Sequence, residues 1–245
     1  MTKRRRVLIA VATLASLTLV LTAADLLVER KAEEEIVKVA GCRLGDASDV
    51  TAELGDTLAG LKAVTGRIGT VHISAGRVHR DDMDMAVRAS LYGVSTDGAV
   101  SSGSVQATVP YTELGKRLDG EVADMRLGSD GTRLTLDGTV GDLGLPVTVL
   151  TDLSTTSSSV TVTPTAVRLM GREVPLSALS SLPGAAAMGD RLKPRTIDVD
   201  DLPKGVRLTG ARPGADGLTL DIGLSAEAMA AAHADDTCAP GAKEA

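Results

Sequence analysis

The chain has no tryptophan, no phenylalanine and only two aromatic residues, Tyr92 and Tyr111, among its 245 positions. Single-stranded nucleic acid is held largely by stacking on aromatic side chains, so a site of that kind is excluded. The core has to be built from valine, leucine, isoleucine, methionine and alanine. Cysteine is scarce too, at Cys42 and Cys238 alone. The three histidines, His72, His79 and His233, show no ligand spacing, so neither a metal site nor a cofactor is expected. A nucleophile elbow, a zinc-protease helix, a C-x-x-C pair, a P-loop and a dinucleotide fingerprint are all missing, and the chain reads as a non-enzyme without catalytic residues. Asp81, Asp82 and Asp84, like Asp198, Asp200 and Asp201, read as solvated strand faces and loops rather than cation sites. Excess positive charge is also lacking. The formal charge is −6, and residues 1–24 contribute four bases and no acid, leaving −10 on the rest. So acidic a body excludes nucleic acid as a partner and is repelled by anionic surfaces.

What is present begins at the N-terminus. Lys3, Arg4, Arg5 and Arg6 precede an uncharged, mostly apolar run over residues 7–24. The basic flank keeps that end in the cytoplasm, which sends the remainder outside. The run is long for a signal peptide and short for a bilayer span, and Thr22-Ala23-Ala24 offers a small-residue cleavage site. Cleaved signal and retained anchor both stay open. Residues 25–41 follow with alanine, glutamate and lysine in helix-forming proportion, and Val28, Ala32, Ile36 and Val39 make one apolar stripe. In an exported protein a bridge between Cys42 and Cys238 is permitted, as are two unpaired thiols.

Downstream the pattern is that of strands. Residues 69–74 are the first clear strand material, and a turn is expected near Ala75-Gly76. Met83, Met85, Val87, Ala89 and Leu91 then alternate with polar or small neighbours, which predicts one buried and one wet face. A small-residue loop is expected over 98–103, followed by a strand over 105–109 and a helix opened by Pro110 with Tyr111, Leu114 and Leu118 on one side. Two x-Asp-Gly turns, Ser129-Asp130-Gly131 and Ala215-Asp216-Gly217, each lead into an alternating strand. Leu145, Val147, Val149 and Thr151 share a face, as do Val160 and Val162, while residues 175–194 break the strand pattern. The chain divides into a leader over 1–24, a single β-rich domain with an N-terminal helix over 25–227, and a flexible tail over 228–245.

The helix ending at Gly41-Cys42, the strand material between Val71 and Val94, and Val109-Pro110-Tyr111-Thr112-Glu113-Leu114 together resemble the LmeA-like phospholipid-binding proteins of the cell envelope. Gly171-Arg172-Glu173-Val174-Pro175 and Leu202-Pro203-Lys204-Gly205-Val206-Arg207-Leu208 extend the resemblance, which runs from about Ala24 to Leu224. It implies an α+β, β-rich fold in which an elongated, curved antiparallel sheet wraps a long N-terminal helix, as in tubular lipid-binding proteins. It also implies a phospholipid partner. The aliphatic, flexible faces then read as the lining of a groove for acyl chains: Val28, Ile36, Met83, Met85, Val87, Val105, Val109, Leu134, Leu136, Val147, Val149, Val160 and Val162. The expected protein lies outside the cytoplasmic membrane, which it meets through its N-terminal segment. The competing expectation is a tethered scaffolding domain that contacts envelope proteins and holds no lipid.

Overall fold

The computed structural model describes residues 33–34, 36–42, 47–55, 66–80, 82–116, 125–140, 145–179, 192–199 and 202–234. Residues 33–34 and 36–42 are helical. Val28 and the leader lie outside the described residues, so a long N-terminal helix enclosed by the sheet is not part of the described structure. What is described is β-rich, built from two open antiparallel sheets.

Sheet A contains β1 (Ala47–Leu54), β2 (Arg67–Arg80), β3 (Met83–Ser95), β4 (Ser102–Pro110), β11 (Val206–Pro213) and β12 (Gly217–Leu224), in the order β1-β2-β3-β4-β12-β11. Sheet B contains β5 (Arg126–Ser129), β6 (Leu134–Val140), β7 (Leu145–Thr155), β8 (Ser159–Leu169), β9 (Arg172–Pro175) and β10 (Arg195–Asp198). In sheet B one edge of β8 is shared, with β10 on residues 159–162 and β9 on residues 166–169. Sheet A is thus assembled from both ends of the domain, and sheet B from the segment between them. The seam lies where β11 meets the β7–β8 turn, and there Leu208 N–H donates to the Ser157 carbonyl at 2.8 Å.

Several expectations need correction. The turn near Ala75-Gly76 is a bulge inside β2, where the register with β3 slips between Ala75 and Val78. Pairing with β1 through Ser48–Arg77 and Ala47–Val78 keeps the chain extended there, and the true reversal carries Asp82 at φ +59°. The loop over 98–103 ends early, since β4 begins at Ser102 and runs to Pro110. The helix that follows is one short turn, Tyr111–Gly115. Its anchor is Tyr111, whose hydroxyl donates to the Gly214 carbonyl at 2.8 Å. Consistent with the break in the strand pattern, the segment after Pro175 starts with a helical turn, Leu176–Leu179; Ala226–Ala234 is helical with Ala228 buried.

The two x-Asp-Gly turns are where the sequence placed them. Asp130 Oδ1 accepts from the backbone N–H groups of Arg133 and Thr132 at 2.8 and 3.0 Å, which holds its carboxyl below the ordinary value. Arg133 reaches on to Glu173 at 2.8 Å, tying the β5–β6 turn to β9.

The β8–β9 hairpin turns through only Met170 and Gly171, both with positive φ (+47° and +78°). Such a turn favours Asn-Gly, because a side chain branching from an unsuited backbone crowds the following carbonyl. Met170 is also 78% exposed, so no burial offsets the strain. Met170→Asn should therefore raise unfolding stability by about 1 kcal/mol, seen as a higher denaturant midpoint at unchanged slope. An unchanged or lower midpoint would contradict this account of the turn.

Candidate functional site

Antiparallel register carries side-chain alternation from strand to strand, so each row of paired residues belongs to one face of sheet A. One row reads Ala52, Ile73, Ala89, Val105, Ile222, Leu208 across six strands; the next reads Leu54, Val71, Leu91, Gly103, Leu224, Val206; a third reads Val50, Ala75, Val87, Ala107, Leu220, Ala211. None of these positions is polar or charged. Gly103 is the one gap, and it is needed: a Cβ there would sit 3.0 Å from Leu91 and 3.3 Å from Leu224. On this face Ala52 and Leu208, on the two edge strands, are buried, as are Val71, Ala75 and Ala107 further in. Its middle is only half-buried at Ile73, Val87, Ala89, Val105, Leu220 and Ile222. Among the described residues, the central part of this aliphatic face thus keeps some exposure.

Sheet B handles its apolar side chains differently. Val147, Val149 and Val167 form a closed core, with Leu136, Leu169, Leu176 and Leu192 packed around it. The expected groove residues accordingly fall into two sets. Met83, Met85, Val87 and Val105 are half-buried and Val109 is buried on sheet A. Leu134, Val147, Val149 and Val160 are buried and Leu136 and Val162 half-buried on sheet B. Ile36 is half-buried in its helix, and Val28 lies outside the described residues. None of them lines the two concavities described next.

The opposite face of sheet A is polar. Its rows read Glu53, His72, Ser90, Ser104, Gly223, Arg207 and Thr51, Ser74, Arg88, Gln106, Asp221, Gly210. A concavity of about 850 Å³ lies between this face and sheet B, where Thr132, Asp152 and Leu153 form the far wall. Asp221 organises its floor. It accepts from Arg212 Nε and Nη2 at 2.9 Å each and from Gln106 Nε2 at 3.0 Å, and the Arg212 guanidinium is held more basic by that carboxylate. A second concavity of about 320 Å³ adjoins it and shares Arg88 and Gln106. There His72 Nδ1 lies 3.0 Å from Ser90 Oγ. That contact resembles a base beside a hydroxyl, but both residues are mid-strand, where neighbouring N–H groups serve the ladder and are not free to stabilise an oxyanion. No group of three His, Cys, Asp or Glu among the described residues is arranged to hold a metal ion.

This polar face is not apparent from sequence alone. Its residues are spread from Thr51 to Asp221, and only the strand pairing brings them together. The cysteines fare in part: Cys42 is disulfide-bonded, while Cys238 lies outside the described residues. Among the described residues, no helix is long and apolar enough to cross a membrane.

The described residues thus define a β-rich, two-sheet protein with one wide aliphatic sheet face. Comparison with known families narrows this. The LmeA-like phospholipid-binding family matches residues 12–222, most of the chain, and the chain belongs to that family. No curated protein and no solved structure matches it.

The two apolar sets differ in what they tolerate. Val149 is 3% exposed in the sheet B core, so Val149→Asp buries a charge without a partner and should cost more than about 3 kcal/mol, unfolding the domain in urea well before the parent. Val87→Asp, on the half-buried middle of sheet A, should remain folded with a smaller loss. Equal losses for the two variants would show that the sheet A face is as tightly packed as the sheet B core.

Proposed function

We propose that this protein binds phospholipid by laying acyl chains along the aliphatic face of sheet A, and that it holds or transfers lipid outside the cytoplasmic membrane without catalysing a reaction on it. The observation that carries the reading is the half-buried run Ile73, Ala89, Val105 and Ile222 across four neighbouring strands, with Val87 and Leu220 beside it. An acyl chain needs no directional partner, and each methylene it removes from water contributes about 0.8 kcal/mol. Aliphatic side chains without aromatic bulk leave room for such a ligand. Family membership supports phospholipid as its class. The Lys3–Arg6 cluster and the apolar run behind it support export, by a cleaved signal or a retained anchor.

Lipid extraction and mass analysis of the purified protein tests the ligand. The wild type should carry phospholipid above a matched blank, and folded Val87→Asp should carry much less. A lipid-free wild type would favour the scaffolding role instead, and a folded Val87→Asp with a full lipid complement would remove the ligand from this face. Orientation has its own test. A reporter active only in the cytoplasm, fused after Ala245, should stay silent; a strong signal would place the domain inside.

A further inference from the structure

We propose that the polar face of sheet A carries a second binding site, for a phosphate-class oxyanion, centred on Arg88. Three observations meet there. The smaller concavity, about 320 Å³, is lined by His72, Ser74, Arg88, Ser90, Tyr92, Ser104 and Gln106 together with Ile73 and Ala89, and no carboxylate is among them. In a chain of formal charge −6, a concavity with a cation and no acid is a local exception that calls for an anion. Arg88 is also unengaged, with no hydrogen-bond or ion-pair partner among the described residues. Arg133, Arg168 and Arg212 are each held by a carboxylate; Arg88 shares its freedom with several other arginines, but it alone lines this concavity. Of the nearby acids, Asp221 is bound by Arg212 and Gln106, Glu53 is the cross-strand neighbour of His72 on its far side, and Asp152 stands on the sheet B wall of the larger concavity that Arg88 also borders.

The chemistry fits a tetrahedral oxyanion. A guanidinium presents two parallel N–H donors, which match two oxygens of one phosphate group. Ser74 lies directly across from Arg88 on β2, and Ser90 and Ser104 face each other in the next row. Their hydroxyls can donate to the remaining oxygens. Tyr92, 45% exposed and one of the chain's two aromatics, stands at the end of the concavity and covers whatever the phosphate is attached to. Its polar residues, Arg88, His72 and the serines, sit in the rows of the opposite face from the aliphatic ones, with Ile73 and Ala89 the two residues common to both, so binding there does not depend on the acyl reading. Phosphate chemistry of this kind has two sources, a lipid head group and a soluble phosphate monoester.

Calorimetric titration of the purified protein at constant ionic strength distinguishes them. The probes are sn-glycerol 3-phosphate, and phosphatidylcholine vesicles with and without phosphatidylglycerol. The variants are Arg88→Gln, Ser104→Asp, which places a like charge in the concavity, and Arg77→Gln, which removes the same charge from outside it. Saturable binding of glycerol 3-phosphate, weakened about tenfold or more in Arg88→Gln and Ser104→Asp but kept in Arg77→Gln, assigns the site to a soluble phosphate. Arg88-dependent binding to vesicles alone assigns it to a head group. Absence of binding to either probe overturns the proposal, as does an Arg88→Gln variant equal to wild type or an Arg77→Gln variant that loses as much.

Discussion

Alternation held in register across six antiparallel strands is the constraint on which the rest of this structure depends. Each strand sends successive side chains to opposite faces, and pairing copies that choice to its neighbour. A one-residue slip anywhere in β1-β2-β3-β4-β12-β11 would mix Val105 and Ile222 with Gln106 and Asp221. The bulge in β2 preserves the pattern: it absorbs an irregularity between Ala75 and Val78 while both stay buried. Two unlike surfaces result, back to back on one sheet. One is aliphatic, the face proposed above for acyl chains. The other is polar and gathers Arg88, His72 and three serines into a concavity.

The missing aromatics act on the first of these surfaces. A sheet face as wide as sheet A needs large side chains or a second layer to close it. Sheet B closes its own interior with Val147, Val149 and Val167 because Leu136, Leu169, Leu176 and Leu192 surround them. On sheet A, Ile73, Ala89, Val105 and Ile222 in the central row remain half-buried. The same aliphatic vocabulary thus gives a dry core in one sheet and, among the described residues, a partly exposed face in the other. The difference lies in what packs above it.

Much of the strand content was legible because period two is a local signal. The β3 alternation from Met83 to Leu91 and both x-Asp-Gly turns could be read directly, since each depends on a few adjacent residues. Pro110 was misleading: it ends β4 as well as preceding a helix, and the turn of helix after it is short. The division of the apolar residues between two sheets was not legible. It depends on β12 pairing with β4 across more than a hundred residues, and no local pattern encodes that pairing. For the same reason Met83 and Val149 looked equivalent on paper, although one is half-buried on sheet A and the other sealed in sheet B. The polar concavity was hidden in the same way. His72 shows no ligand spacing in the sequence, and Ser90, Arg88 and Gln106 gather around the same concavity only in the folded sheet.

The central claim is that lipid lies on one particular sheet face. Methyl NMR of protein loaded with a phospholipid carrying a nitroxide on its acyl chain tests it most directly. The account predicts strong broadening of the methyls of Val87, Val105, Leu220 and Ile222, with those of Val147, Val149 and Val167 unaffected. Broadening confined to the sheet B core, or none at all on sheet A, would contradict it.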